Sequence, residues 1–588
     1  MPRCGEREGR GPSLLGRGAW RALALALFAV PALGLWPPGV AAAARPERGS
    51  VVLAFVPVGE RELQSIPGMS AAIVSVSRGY SAARLLRDAS RGLRPDERSR
   101  LLVLSLPGGT DGRARLRALS AARRSGELLI AVQPLAPTTK GRLLWVGVAG
   151  LPGGGARTLS SQTTNERGLV AAIDLAPTIL AHLGRPPPTA SHGRPLHTDG
   201  ALDGPYLRRL MARLHVVGPR RLPALGWLLA AWALLLLLCA PSPRARAWAM
   251  RAGALGVLWA PVAVLIPAAI EPSAAAEYLT IALLCPALGA LTDLLLPWPR
   301  APLVPAAATV IALAADALAG TQLLVRSVLG PNPLLGVRFY GIGNELKSGL
   351  AVLVFAAVAG ALYPATRGRR PALAMAGAGV LLAVVEGSAR IGAGVGGVIL
   401  VSAGTAVASV MLLGGALTRR RALTVLIAPV LGLAALAALD LATAHGTGHY
   451  TGTVLHARSA GDLRDVIVHR YSAAFGELHN HAMPVATLLA LLCAIWGVRR
   501  RERLLAPVAG DPAWQAALCG GLAAGVVGAL VEDSGPVLLV VAVFALICVL
   551  AYLWGRPVPA RAATPRGSPG TSRAARSRAR TRPAEPAR

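Results

Sequence analysis

Four polar constellations interrupt the apolar second half of this 588-residue chain, and their residue types point to anion chemistry at a membrane face. The first is Arg338-Phe-Tyr-Gly-Ile-Gly-Asn-Glu345 with Lys347; Arg338, Tyr340, Asn344, Glu345 and Lys347 are its candidate ligands, and Lys347 is one of only two lysines in the chain. The second is Glu386-Gly-Ser-Ala-Arg390 with the glycines that run on to Gly397. The third holds His456, Arg458, Asp462 and Arg470, and the fourth is Glu532-Asp533-Ser-Gly535. Ionisable groups at membrane depth are costly and are usually paired or functional. Guanidinium forks match phosphate oxygens better than ammonium groups do. Glycines allow helices to approach closely, or leave a broken helix with N–H groups free for an anion. Together these features predict an outward-facing, arginine-lined pocket for a phosphate-bearing lipid. The competing expectation is that the same groups form internal salt bridges that lock helices together. His479 and His481 with Glu477 have metal-ligand types, but loop histidines are more often solvated. No metal, cofactor or catalytic residue is assigned.

The elements that must position these groups are apolar. The chain is 53% hydrophobic with a mean hydropathy of +0.52, which excludes an ordinary soluble protein. Runs of about twenty apolar residues, enough to cross a hydrocarbon core, recur over 222–555. They predict an all-α polytopic domain of about eleven helices, near 222–240, 252–270, 278–297, 302–320, 346–365, 371–387, 393–416, 422–443, 483–498, 514–532 and 536–554. Alternate connections are basic: Arg244 with Arg246 and Arg251, Arg300, Arg367 with Arg369 and Arg370, the triplet from Arg419, and the cluster from Arg499 to Arg503. By the positive-inside rule these are cytoplasmic. The polar constellations and residues 45–221 then lie outside; Arg220-Arg221 is a local exception.

The net charge of +32 follows topology and lipid headgroups more simply than nucleic acid. Residues 556–588, rich in Pro, Ser, Ala and Arg, predict a disordered cytoplasmic tail. Residues 1–44, with five arginines, an apolar run and Ala41-Ala-Ala-Ala44, read as a signal peptide or signal anchor. The inner connections are short and carry no P-loop, so ATP energy is not built in. Asp293 and Asp316 lie within spans, as a proton relay or as paired groups.

Residues 45–221 predict an exported α/β domain with a mainly parallel sheet. Short apolar runs at 51–56, 72–76, 101–106, 128–132 and 143–148 alternate with helical stretches such as 81–90 and 112–124. No cysteine falls between 45 and 221, and the six cysteines of the chain form no CxxC pair. Asp174 is read as the cap of a helix holding Pro177 in its first turn and ended by Gly184.

That segment, Ile173-Asp-Leu-Ala-Pro-Thr178, with Gly193-Arg-Pro-Leu196 after it, resembles the C-terminal part of the alkaline phosphatase-like superfamily, which includes sulfatases and phosphoglycerate mutases. The resemblance implies two metals clamping a phosphoryl or sulfuryl group. The ligands it requires are not evident. Phe55-Val-Pro-Val-Gly-Glu60 stands where an Asp is expected, and Gln133-Pro-Leu135 where an Asp-His pair is expected. The expectation is therefore a non-catalytic phosphatase-like ectodomain. The whole chain is similar to bacterial membrane proteins that join such an ectodomain to a multi-span region.

The functional expectation is a protein of the bacterial cytoplasmic membrane that binds, moves or transfers a lipid-linked anionic envelope precursor, such as one on polyprenyl phosphate. Its partners would be membrane lipids and other envelope proteins, with no nucleic acid. The alternatives are a proton-coupled secondary transporter using Glu386, Asp533 or Asp316, and an active metal-dependent phosphatase or sulfatase.

Overall fold

The computed structural model describes residues 49–137, 141–187, 193–335, 339, 341–388, 391–392, 394–415, 418–443 and 482–557. The N-terminal part is an eight-stranded mixed sheet in the order β3-β1-β4-β5-β2-β6-β8, with β7 also paired to β2. Its strands are β1 Val51–Phe55, β2 Ser70–Val76, β3 Leu101–Ser105, β4 Leu128–Val132, β5 Arg142–Ala149, β6 Arg157–Ser161, β7 Leu169–Ala171 and β8 Leu196–Ala201. All five strands expected from apolar runs are present. β1 pairs in parallel with β3 and β4, whereas β5 runs antiparallel to both β4 and β2. The antiparallel members arise because β4 and β5 are joined by too short a connection for a crossover helix.

The sheet is covered on both faces, which is why β1 and β4 are apolar at every position rather than alternately. Val51, Leu53 and Phe55 face one layer with Leu85, Ile179 and Leu180; Val52 and Ala54 face the other with Leu63, Leu116 and Leu207. The first layer is built on α2 (Ala82–Gly92) and α4 (Leu175–His182). The second is built on α1 (Glu60–Gln64), α3 (Gly109–Ala121) and the start of α5 (Gly204–Leu238). α4 ends as expected: Gly184 adopts φ +70°, and Arg185 N donates to Leu180 O at 2.8 Å.

α5 passes unbroken from the sheet into the apolar region. Leu207, Leu210 and Leu214 pack on the sheet, while Leu222, Leu234, Leu237 and Leu238 are exposed. The remaining helices are α6 Pro243–Ala263, α7 Leu265–Ile270, α8 Ala274–Leu295, α9 Leu303–Ala319, α10 Asn344–Leu362, α11 Arg369–Gly387, α12 Val395–Leu413, α13 Arg419–Thr443, α14 Met483–Arg499, α15 Arg501–Leu504, α16 Pro512–Val531 and α17 Pro536–Trp554. Among the described residues eight helical segments are long and apolar enough to cross a membrane; three more, ending at Ala319, Leu362 and Arg499, are apolar but shorter. Their outer surfaces carry bare leucines such as Leu283, Leu294, Leu426 and Leu488, as lipid-facing helices do. Small residues let the backbones meet: a Cβ on Gly404 would lie 2.6 Å from Gly520 O, and one on Gly520 would lie 2.7 Å from Gly404 O, which locks α12 against α16.

Residues 320–343 join the two regions. Ser75 Oγ donates to Pro333 O, and Val325 and Phe339 pack with Ile73 and Leu143 of the sheet. Below this contact, Arg213 of α5 forms a bidentate pair with Glu277 at 2.9 and 2.6 Å, and Arg220 adds a third bond to Glu277 at 2.8 Å. Arg221 donates to Val328 O at 2.7 Å. Both the Arg220 and Arg221 side chains are thus consumed by internal acceptors.

Candidate functional site

Three of the four polar constellations meet at one end of the helix bundle. α10 begins at Asn344, so Lys347 falls in its first turn and points inward, 0% exposed. α16 ends at Val531, and the turn Glu532-Asp-Ser-Gly535 leads directly into α17, with Gly535 at φ 29° and Pro536 as the first helical residue. So short a turn leaves Glu532 only 7% exposed, in contact with Lys347 Nζ. Beside it, Asn344 Nδ2 donates to Asp533 Oδ1 at 2.6 Å and to Ser534 Oγ at 3.0 Å.

The second constellation enters from α11 and α12. Glu386, fully buried in the last turn of α11, also accepts through its backbone from Gly394 N at 2.9 Å. A Cβ on Gly396 would collide with the Glu532 carboxylate, and one on Gly397 with that of Glu386. The two glycines therefore let the positive N-terminal turn of α12 rest on two of the protein's own carboxylates. This part of the pattern serves helix packing and charge pairing together.

The other expected site residues divide as follows. Glu345 contributes its backbone to α10. Arg338, Tyr340, Arg390, His456, Arg458, Asp462 and Arg470 lie outside the described residues, as do His479 and His481, residues 1–48 and the tail from 558. The proposed Asp293–Asp316 relay is not assembled. Asp293 is held by Arg251 at 2.6 and 2.9 Å. Asp316 accepts from Leu323 N at 2.9 Å and Leu324 N at 2.8 Å, folding the chain after α9 back on itself.

Between the sheet and these helix ends lies a cavity of about 310 Å³. Its walls are Asn165 and Glu166 from the sheet's β6–β7 loop, Asp316 and Leu318 from α9, and Gly341 and Ile391 from the first two constellations. Leu318 is 55% exposed on the bundle's outer surface, so the cavity borders an apolar flank. Glu166 is only 8% exposed, and no donor among the described residues reaches its Oε2. Burial, then the nearby Asp316 carboxylate, raise its pKa well above the usual carboxylate range; Arg326 opposes them. Sequence reasoning missed Glu166. Its only local signal was the charged pair Glu166-Arg167 beside a strand-like Leu-Val-Ala.

Within the sheet, the positions compared with a metal-dependent hydrolase serve structure. Glu60 accepts two bonds from Arg208 at 2.8 Å. Gln133 donates to Val58 O at 2.8 Å and accepts from Trp145 N at 3.0 Å, stitching β4 to β5. Asp174 differs from the expected helix cap. Its side chain makes no cap bond to α4 and is wholly buried. It accepts from Ser161 Oγ at 2.7 Å, Ala171 N at 2.9 Å, Arg194 N at 2.9 Å and the Thr163 hydroxyl. Burial raises its pKa despite these donors. Among the described residues no three His, Cys, Asp or Glu side chains are placed to hold a metal.

Searches for relatives do not extend this picture. No protein-family model, curated protein or solved structure matches the chain.

Proposed function

We propose that this is a multi-pass protein of a bacterial cytoplasmic membrane that holds the headgroup of a lipid-linked anionic envelope precursor between its extracytoplasmic domain and its helix bundle, in order to move or transfer it. Residues 45–221 are then outside, the C-terminus is inside, and all eleven apolar helices belong to the membrane domain. The observation that carries the reading is the cavity, because its walls come from both regions and Leu318 joins it to a lipid-facing flank. In this reading the headgroup's charge is assigned to Arg390 and Arg338, which come one and three residues before the wall residues Ile391 and Gly341 in the sequence. The extracytoplasmic domain, for which we retain the likeness to alkaline phosphatases, acts as the lid and wall of the site rather than as a hydrolase. Glu60 and Gln133, spent on internal bonds, support that view.

The test is mass spectrometry of lipids that co-purify with the full-length protein. An enriched anionic lipid that is lost in the Arg338→Ala, Arg390→Ala double variant is the expected result. Retention of the same lipid by that variant contradicts the reading.

Proton-coupled transport is the second reading, favoured by the buried Lys347–Glu532 pair beside Glu386. Proton-dependent uptake into vesicles that is abolished by Asp533→Asn would support it.

A further inference from the structure

Glu166 and Asn165 give the cavity a chemistry of its own, and we infer that they recognise a hydroxyl-bearing headgroup of the sugar type. This rests on the cavity being the lipid-headgroup site proposed above. The β6–β7 loop aims its tip at the membrane domain: Asn165 adopts φ +49° and is exposed, while Glu166 is 8% exposed. The loop is held firmly. Thr164 Oγ1 donates to Leu169 O at 2.6 Å, Asn165 N donates to Ser161 O at 2.9 Å, and Gln322 Nε2 donates to Arg167 O at 3.3 Å. Such anchoring fixes where the Glu166 carboxyl sits without supplying it a donor.

The neighbouring wall groups are already engaged. Asp316 is occupied by two backbone N–H groups and by the Thr321 hydroxyl. Gln322 spends its carbonyl on the Tyr206 hydroxyl and its amino group on Arg167. Two side chains lining the space have bonding capacity in hand: the Glu166 carboxyl, whose Oε2 is itself enclosed and without a donor among the described residues, and the exposed Asn165 amide. A buried carboxyl beside a second carboxylate favours its neutral acid form, which both donates and accepts a hydrogen bond. An amide does the same. A hydroxyl is the ligand group that also donates and accepts, so several on one ring satisfy both side chains at once. A phosphate offers only acceptors, and an ammonium only donors.

Binding to the full-length protein, held in an amphipol so that no sugar detergent competes, separates the possibilities. Four probes are titrated by calorimetry: octyl β-glucoside below its micellar concentration, methyl β-glucoside, octyl phosphate and octylammonium. Saturable binding of octyl β-glucoside is expected. It should weaken roughly tenfold in Glu166→Leu and about threefold in Asn165→Ala, with Glu166→Gln within about threefold of the parent because the amide keeps both bonding roles. Weaker binding of methyl β-glucoside assigns the site to a lipid-borne sugar; equal binding assigns the same recognition to a free sugar. Thermal unfolding that matches the parent guards against a folding defect, and Glu166→Gln remains informative if the leucine variant is lost. Preferential binding of octylammonium, abolished by Glu166→Gln, overturns the inference. Binding of octyl phosphate without any binding of octyl β-glucoside overturns it too, but leaves the anionic-lipid site standing. If no amphiphile binds, both ideas fail.

Discussion

Asp174 and Glu166 are both buried carboxylates of the α/β region, yet they do opposite things. Asp174 gathers four donors from three stretches of chain and fixes the β6–β7 loop and the segment before β8. Glu166, within that loop, is 8% exposed and receives no donor at Oε2 among the described residues. A buried polar group without a partner costs stability, so native proteins seldom keep one without a use for it. The comparison separates a carboxylate that builds the fold from one that the fold presents to a cavity. The bundle repeats the first kind in Lys347–Glu532 and Arg213–Glu277, where each charge meets its counter-charge.

The largest expected effects come from breaking such satisfied pairs. Lys347→Ala leaves Glu532 buried against α12 and should lower stability by about 3–5 kcal/mol. Thermal unfolding of the purified membrane protein checks this, and Lys347→Met with Glu532→Gln should recover much of the loss. No loss in Lys347→Ala would show that the pair is dispensable to the fold. Asp174→Ala strands several donors at once and should cost about 3 kcal/mol, read as faster proteolysis of the β6–β7 loop.

A third expectation concerns pH. The Arg185 guanidinium, then Arg94 N, hold the half-buried Glu97 carboxyl down at about 2 against an ordinary 4.5. Its folded pKa is depressed, so its contribution is present above about 4.5 and is lost as pH falls toward 2. Glu97→Gln should flatten the acid limb of a stability–pH curve. Glu166 has the opposite sign. Its folded state keeps a proton that the unfolded chain gives up, so stability declines as pH rises above 4.5, with Asp316 adding to the shift and Arg326 opposing it. Glu166→Gln should remove that decline and change stability at low pH by less than about 0.5 kcal/mol, the smallest effect of the series. A large loss there would place Glu166 with Asp174 as a structural group.

Much of this architecture was legible in the residues. Apolar runs marked the membrane helices and five strands, because burial in lipid or between helix layers demands unbroken apolar stretches. The constellations at Asn344, Glu386 and Glu532 were visible as charges that apolar helices cannot leave alone, and the structure brings them together. β6, β7 and β8 were missed, since Arg157-Thr-Leu-Ser-Ser161, three residues at 169–171 and Leu196-His-Thr-Asp-Gly-Ala201 are too polar or too short to carry a periodic signal. Asp174 was read as a local cap because sequence shows the helix it precedes, whereas its real partners lie on segments that only the sheet brings together. Glu166 was invisible for a related reason: its meaning comes from the membrane helices packed against its loop.

The central claim is that the cavity between the sheet and the bundle holds a lipid headgroup, and narrowing it tests this most directly. Ala317 of α9 lines that space and is half-buried, so Ala317→Phe intrudes on it while leaving Asp174 and the Lys347–Glu532 pair untouched. Lipids extracted from the folded parent protein should show one anionic species enriched over the host membrane, and the Ala317→Phe protein should have lost it. Equal enrichment in both proteins, or none in the parent, would contradict the account.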